Sequence, residues 1–195
     1  LPQGQVFHKM SAVFIHIPKN GGTSIRKIGL ELGISMGNNT VVSKIFPKHE
    51  RWVDLNISKK IPSFGVVRNP WSRCVSRYIF SKLKTSFEAF LATRFKWEGL
   101  WHDPVSSWNA QYDYVCDENN NVCCDILRLE YLDKDLSNYI KRKISVKKEN
   151  VTGYKKNYKN FYNKKTIQIV ADWYKKDIDY WGFDFDTAAT KNYFN

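Results

Sequence analysis

Residues 12–24, AVFIHIPKNGGTS, constrain the fold of this chain more than any other stretch. Six mostly apolar residues, 12–17, read as a buried strand, and the run stops abruptly at Pro18. Beyond the turn, Ile25, Ile28 and Leu32 fall on one face of a helix over 22–32, with Gly33 as its stop. A strand that passes through a glycine turn straight into a helix opens a parallel α/β unit. The same geometry cradles anions. Successive N–H groups of Asn20, Gly21, Gly22, Thr23 and Ser24 can form a nest at the helix N-terminus, where the dipole adds about half a positive charge. Pro18 leads into this loop, Lys19 puts an ammonium over it, and the hydroxyls of Thr23 and Ser24 add donors.

The loop departs from the pattern of an ATP or GTP site. The GxxxxGKS/T motif places its lysine after the last glycine and follows it with a hydroxyl for magnesium. Here the lysine precedes both glycines and the loop is shorter. No apolar strand ends in a lone aspartate suited to hold the magnesium, so the ATP and GTP readings lose ground; no metal is expected.

A second constellation is SFGVVRNPWSRCVS, residues 63–76. Arg68 ends a strand, Asn69 is placed to cap and Pro70 to occupy the first position of a helix. Trp71, Cys74, Val75, Tyr78, Ile79 and Leu83 form its apolar stripe, and Ser72, Arg73, Ser76 and Arg77 its polar face. Arg68 can fork onto a phosphate, and Ser76 lies about two turns into the helix. Alone, Arg68 reads sooner as a capping or salt-bridging arginine. Together with the first loop it implies two phosphate sites on one sheet edge, hence a ligand with two separate phosphate groups.

The remaining chain continues the alternation. VVSKIF (41–46) is an uncertain strand, ERWVDLN a short helix, SFEAFLATRF (86–95) helical and DILRLEYL (125–132) strand-like. DKDLSNYIKRKI opens a helix with acidic residues, and a closing helix runs from about Lys164 to Tyr180 with Gly182 as its end. The expectation is an α/β fold: a three-layer, P-loop-like domain with a central parallel sheet flanked by helices and ligands at the carboxyl ends of the strands.

With 195 residues the chain has room for one compact domain, taken as 10–195, with 1–9 read as a leader or expression remnant ahead of Met10. Hydrophobic residues at 43% exclude a disordered chain, and no apolar run approaches the roughly 20 residues of a membrane span. The net charge of +12 attracts anionic partners, although part of it lies in a Lys/Asn/Tyr-rich stretch, 141–165, that also reads as a solvated face. Four cysteines without paired CxxC spacing argue against zinc. Cys74 reads as core; Cys116, Cys123 and Cys124 flank a turn and are read as thiols, with a short disulfide from Cys116 conceivable in an oxidising compartment.

These motifs resemble the sulfotransferases that use 3′-phosphoadenosine 5′-phosphosulfate (PAPS), in particular the branch of carbohydrate sulfotransferases. FIHIPKNGGTSI is similar to the family's 5′-phosphosulfate loop, and FGVVRNPWSRCVSRY to its 3′-phosphate motif, with Arg68 and Ser76 at the matching positions. KHERW, DILRLEYLDKDL and ADWYKKDIDYWGFDF resemble weaker signatures in the same order. The resemblance implies PAPS as cofactor, adenosine 3′,5′-bisphosphate as product, and a hydroxyl acceptor, most of all a carbohydrate, with no nucleic acid partner. It implies Lys19 as the cation that stabilises the bridging oxygen and leaving phosphate. His49 matches a family histidine and is the expected base, or else orients substrate or cofactor; His102 and Glu50 are its rivals. His16, read as part of the first strand, is expected to be buried scaffold. Trp97, Trp101, Trp108, Lys155 and Lys156 could line an acceptor groove, or the tryptophans could be core. Cytoplasmic location is expected, or the Golgi lumen if an anchor precedes the chain. A non-catalytic nucleotide- or glycan-binding protein and an ATP-dependent small-molecule kinase are the competing readings.

Overall fold

A computed structural model describes residues 12–31, 51–55, 58, 60–94, 108–146 and 157–190. Three strands, β1 (Val13–Ile15), β2 (Ser63–Val67) and β3 (Asp125–Arg128), form a parallel sheet in the order β1-β2-β3. Val13 pairs with Ser63 and Ile15 with Gly65, while Phe64 pairs with Asp125 and Val67 with Arg128. The fold class is α/β. Each strand leads into a helical segment: β1 into α1 (Gly22–Glu31), β2 into α2 (Pro70–Ser81), and β3 through a 3-10 turn (Leu129–Tyr131) into α5 (Leu132–Tyr139). Helices α3 (Phe87–Arg94) and α4 (Tyr112–Val115) lie between β2 and β3 in the chain, and α6 (Lys164–Trp173) and α7 (Lys175–Trp181) follow α5.

All five residues of β2 are buried, as expected of a central strand in a parallel sheet. Its alternating side chains feed two separate apolar clusters. Phe64 and Val66 join Phe14, Ile25, Ile28, Leu127, Leu132 and Leu136, which brings in α1 and α5. Val67 joins Ile15, Trp71, Cys74, Val75, Phe90, Leu91, Tyr114, Val170 and Trp181, which brings in α2, α3, α4, α6 and α7.

The α2 boundary follows its sequence. Asn69 Oδ1 accepts from the Ser72 N–H at 3.0 Å, Pro70 sits in the first turn, and Lys82 in the left-handed region, φ 52°, ends the helix. Leu83 therefore lies past the helix, exposed, rather than on its apolar stripe. The strand-like stretch 125–132 is strand only to Arg128. The closing helix is two helices kinked at Tyr174: the Tyr174 N–H still bonds Val170 C=O and the Ile178 N–H bonds Tyr174 C=O, both at 3.0 Å, while ψ of Tyr174 opens to 26°. ERWVDLN contributes a 3-10 turn, Trp52–Leu55. The stretch 41–46 read as an uncertain strand, Leu32 and Gly33 at the expected helix end, and residues 1–9 lie outside the described residues. Among the described residues no helix is long and apolar enough to cross a membrane.

Candidate functional site

The turn after β1 is built by two residues in the left-handed region, Lys19 at φ 68° and Gly21 at φ 79°. Gly21 tolerates this without strain, whereas Lys19 does so at a steric cost. The first bond of α1 runs from the Ile25 N–H to Gly21 C=O at 3.1 Å, so the helix start presents the N–H groups of Gly22 and Thr23 outward from the helix ladder. Thr23 is exposed and Ser24 buried. Gly22 has a steric reason to be glycine: a Cβ there would lie 1.9 Å from His16 Nε2. His16 is thus not the buried strand residue expected. The strand ends at Ile15, and the half-buried imidazole stacks on Phe14 and covers the start of α1.

Arg68 occupies the next strand end. Its guanidinium donates from Nη1 to the main-chain carbonyl of Lys19 at 3.0 Å, and from Nε and Nη2 to Ser72 Oγ at 3.0 and 2.8 Å. The Lys19 ammonium lies 3.8 Å from the centre of the exposed Phe80 ring on α2. Its pKa is lowered from 10.5 to about 8, mainly by burial and then by the charges of Arg77 and Arg68. Three cations therefore act on one another where the β1 and β2 loops meet. Ser76 sits half-buried on α2, one residue before Arg77.

Beneath the two loops lies a polar interior that the sequence did not announce. Asn20, although in the loop, turns its side chain inward: Nδ2 donates to Val66 C=O and to Gln111 Oε1, both at 2.6 Å. Gln111 Oε1 also accepts from the Arg68 N–H at 2.8 Å, and Gln111 Nε2 donates to Arg68 C=O at 2.8 Å. The fully buried Asp177 holds Gln111 and Tyr112, accepting from their N–H groups at 2.9 Å each and from Gln111 Nε2 at 3.1 Å. Burial raises the Asp177 carboxyl to about 6, against the lowering effect of these donors and of Arg73.

Arg73 itself, expected on the outer polar face of α2, is only 2% exposed. It donates from Nε to Pro18 C=O at 3.1 Å and from Nη1 to Asn109 C=O at 2.9 Å, so it pins the turn before Lys19. The third strand end also reaches the site: Glu130 Oε1 accepts from the Asn69 N–H at 2.8 Å, and Leu129 packs where a Cβ on Gly21 would fall, 2.7 Å away.

His49, Glu50, His102, Trp97, Trp101, Lys155 and Lys156 lie outside the described residues. Trp108 is 5% exposed and belongs to the core, not to an open groove. Cys74, Cys116, Cys123 and Cys124 are free thiols; Cys74 is core as expected, and Cys116 faces Val122 across a short antiparallel bridge. No group of side chains suited to hold a metal occurs among the described residues.

The site thus offers main-chain N–H groups at the start of α1, a forked guanidinium at the end of β2 and an ammonium that titrates near pH 8 between them. Such a set can hold two anionic groups and place a proton or positive charge beside one of them. Comparison with protein-family models, curated proteins and solved structures finds no match to this chain.

Proposed function

We propose that the chain is a sulfotransferase that moves the sulfuryl group of PAPS to a hydroxyl, most of all on a carbohydrate, within a three-layer, P-loop-like architecture. The observation that carries this reading is the 3.0 Å bond from the Arg68 guanidinium to Lys19 C=O, which joins the two loops that resemble the family's phosphosulfate and 3′-phosphate motifs. In this reading the turn of Pro18, Lys19, Asn20, Gly21 and Gly22, with Thr23 and Ser24, receives the 5′-phosphosulfate. Arg68 and Ser76 receive the 3′-phosphate. Lys19 stabilises the charge that develops on the leaving phosphate, and His49 removes the acceptor proton. In-line displacement needs positioning and charge stabilisation rather than covalent catalysis.

Incubation with sulfur-labelled PAPS and a panel of glycan and small-molecule hydroxyl acceptors tests the proposal. Label transferred to a glycan hydroxyl, lost in Lys19→Ala, is the expected result. PAPS binding with no transfer to any acceptor overturns the catalytic reading in favour of a nucleotide-binding protein.

A further inference from the structure

The amide of Gln111 spends every hydrogen-bonding valence it has on the two loops and their support. Oε1 accepts from Asn20 Nδ2 at 2.6 Å and from the Arg68 N–H at 2.8 Å, filling both lone pairs. Nε2 donates to Arg68 C=O at 2.8 Å and to Asp177 Oδ2 at 3.1 Å, using both hydrogens. Gln111, Asp177 and Asn20 are each at most 1% exposed, so none of these bonds is exchanged cheaply for water. Asp177 fixes the position of the amide from behind through the N–H groups of Gln111 and Tyr112. Asn20 carries the link onward to β2 through Val66 C=O at 2.6 Å. One amide oxygen is therefore shared by the loop after β1 and the main chain after β2. Moving either loop stretches the bond to the other.

We propose that Gln111, anchored by Asp177, is a positioning residue that couples the two loops, so that a ligand bearing both phosphates is held more tightly than its separate halves allow. This rests on the reading of the strand-end loops as a two-phosphate site. The physical basis is preorganisation. With the amide in place, ordering one loop orders the other, and a second anion finds its loop already set. In a dry interior such a network is rigid while complete and costly when one member is lost. Gln111 touches neither anion; it acts through the Asn20 side chain and the Arg68 backbone.

Gln111→Glu keeps an acceptor for Asn20 and the Arg68 N–H, and turns an oxygen toward Arg68 C=O and Asp177 in place of the lost donor. Two measurements on this variant and the wild type decide the matter. In hydrogen exchange without ligand, residues 16–24 and 66–72 are expected to lose protection together while 132–139 stays unchanged. Loss in one loop alone, no loss, or uniform loss along the chain overturns the coupling.

In calorimetry with adenosine 3′,5′-bisphosphate and with 5′-AMP, the advantage of the bisphosphate is expected to shrink by about tenfold while 5′-AMP affinity changes by less than about threefold. Equal losses for both ligands overturn the proposal. A wild type that does not prefer the bisphosphate defeats the two-phosphate reading instead, and the exchange result then judges the coupling by itself.

Where Gln111→Glu fails to fold, Asp177→Asn is measured in the same way, together with wild-type exchange in the presence of 3′-AMP. Protection spreading from 66–72 into 16–24 supports the coupling, and protection confined to 66–72 contradicts it.

Discussion

The guanidinium of Arg68 donates from Nη1 to the main-chain oxygen of Lys19 at 3.0 Å. A side chain that ends the central strand thus grips the backbone of the turn that ends its neighbour. The bond occupies one arm of the guanidinium, and Ser72 Oγ receives two other donors. Arg68 is in this way both a charge at the site and part of its scaffold, and the two roles separate by experiment. Arg68→Lys keeps the charge without the fork, so it should retain part of the anion affinity but loosen the β1 turn. Protease nicking within 16–24 measures that loosening. Unchanged resistance with reduced affinity would assign Arg68 to the ligand alone.

Lys19 is held well below the ordinary range of a lysine, at about 8, by burial and by the charges of Arg77 and Arg68. A lowered pKa in a base means that the free protein loses this positive charge as pH rises through about 8 rather than near 10.5. Affinity for adenosine 3′,5′-bisphosphate should therefore decline over roughly pH 7.5 to 9.5, by up to about tenfold per pH unit for one proton. Lys19→Arg removes the titration and flattens the curve. A wild-type curve flat to pH 9.5 rules this out. Lys19→Ala should reduce turnover more than bisphosphate binding, and equal losses would reduce Lys19 to a counter-ion.

Arg73 is buried with its donors on Pro18 C=O and Asn109 C=O, and its charge favours the ionised form of Asp177. Truncation to Ala leaves the carbonyls of Pro18, buried, and Asn109, half-buried, without these donors and removes a charge that favours ionised Asp177. The expected loss is about 1–3 kcal/mol of unfolding free energy, read from urea denaturation. A loss below about 0.5 kcal/mol, the usual range for surface positions, would place Arg73 on the solvent face after all.

Gly22 and His16 are predicted to be coupled. Gly22→Ala puts a methyl group where the imidazole lies, 1.9 Å from Nε2, and should cost about 1–3 kcal/mol by overpacking. The same change in a His16→Ala background meets no ring and should be far milder. Additive losses in the double-mutant cycle would mean that the ring does not sit over the helix start.

Asp177 gives stability a specific pH dependence. Its carboxyl is raised in the folded state from 3.8 to about 6, so between these values the native protein binds more protons than the unfolded chain. Unfolding free energy from this group therefore falls as pH rises from about 4 to about 6 and is level above, with a total effect on the order of 3 kcal/mol. Urea midpoints at pH 4, 5, 6 and 7 for wild type and Asp177→Asn test it. The wild-type minus variant difference should fall across that window and then flatten. A difference that rises with pH would assign Asp177 the lowered pKa of an ordinary ion-paired carboxylate.

What could be read from the sequence was local. The strand, turn and helix of residues 12–31 and the Asn69 cap with Pro70 follow from short-range patterns, because apolar runs, glycines and caps act over a few residues. His16 went astray by one position, since an apolar run does not show where pairing ends. Arg73 was misread because helical periodicity separates polar from apolar faces but cannot tell which polar face is covered; here Pro18 and Asn109 cover it. Gln111 carried no signal, and Asp177 only its place within ADWYKKDIDYWGFDF, which gives it no role. Their role depends on contacts 43 to 91 positions away in the chain, between a segment without periodicity and the last helix.

In the proposed reading the two strand-end loops form one site for two separate phosphates without a metal. Calorimetric titration in EDTA with adenosine 3′,5′-bisphosphate and 5′-AMP, set beside Mg-ATP, tests it most directly. The bisphosphate is expected to bind in EDTA, more tightly than either other ligand, and Arg68→Ala is expected to erase its advantage over 5′-AMP. No binding of the bisphosphate, or tighter binding of Mg-ATP, would contradict it.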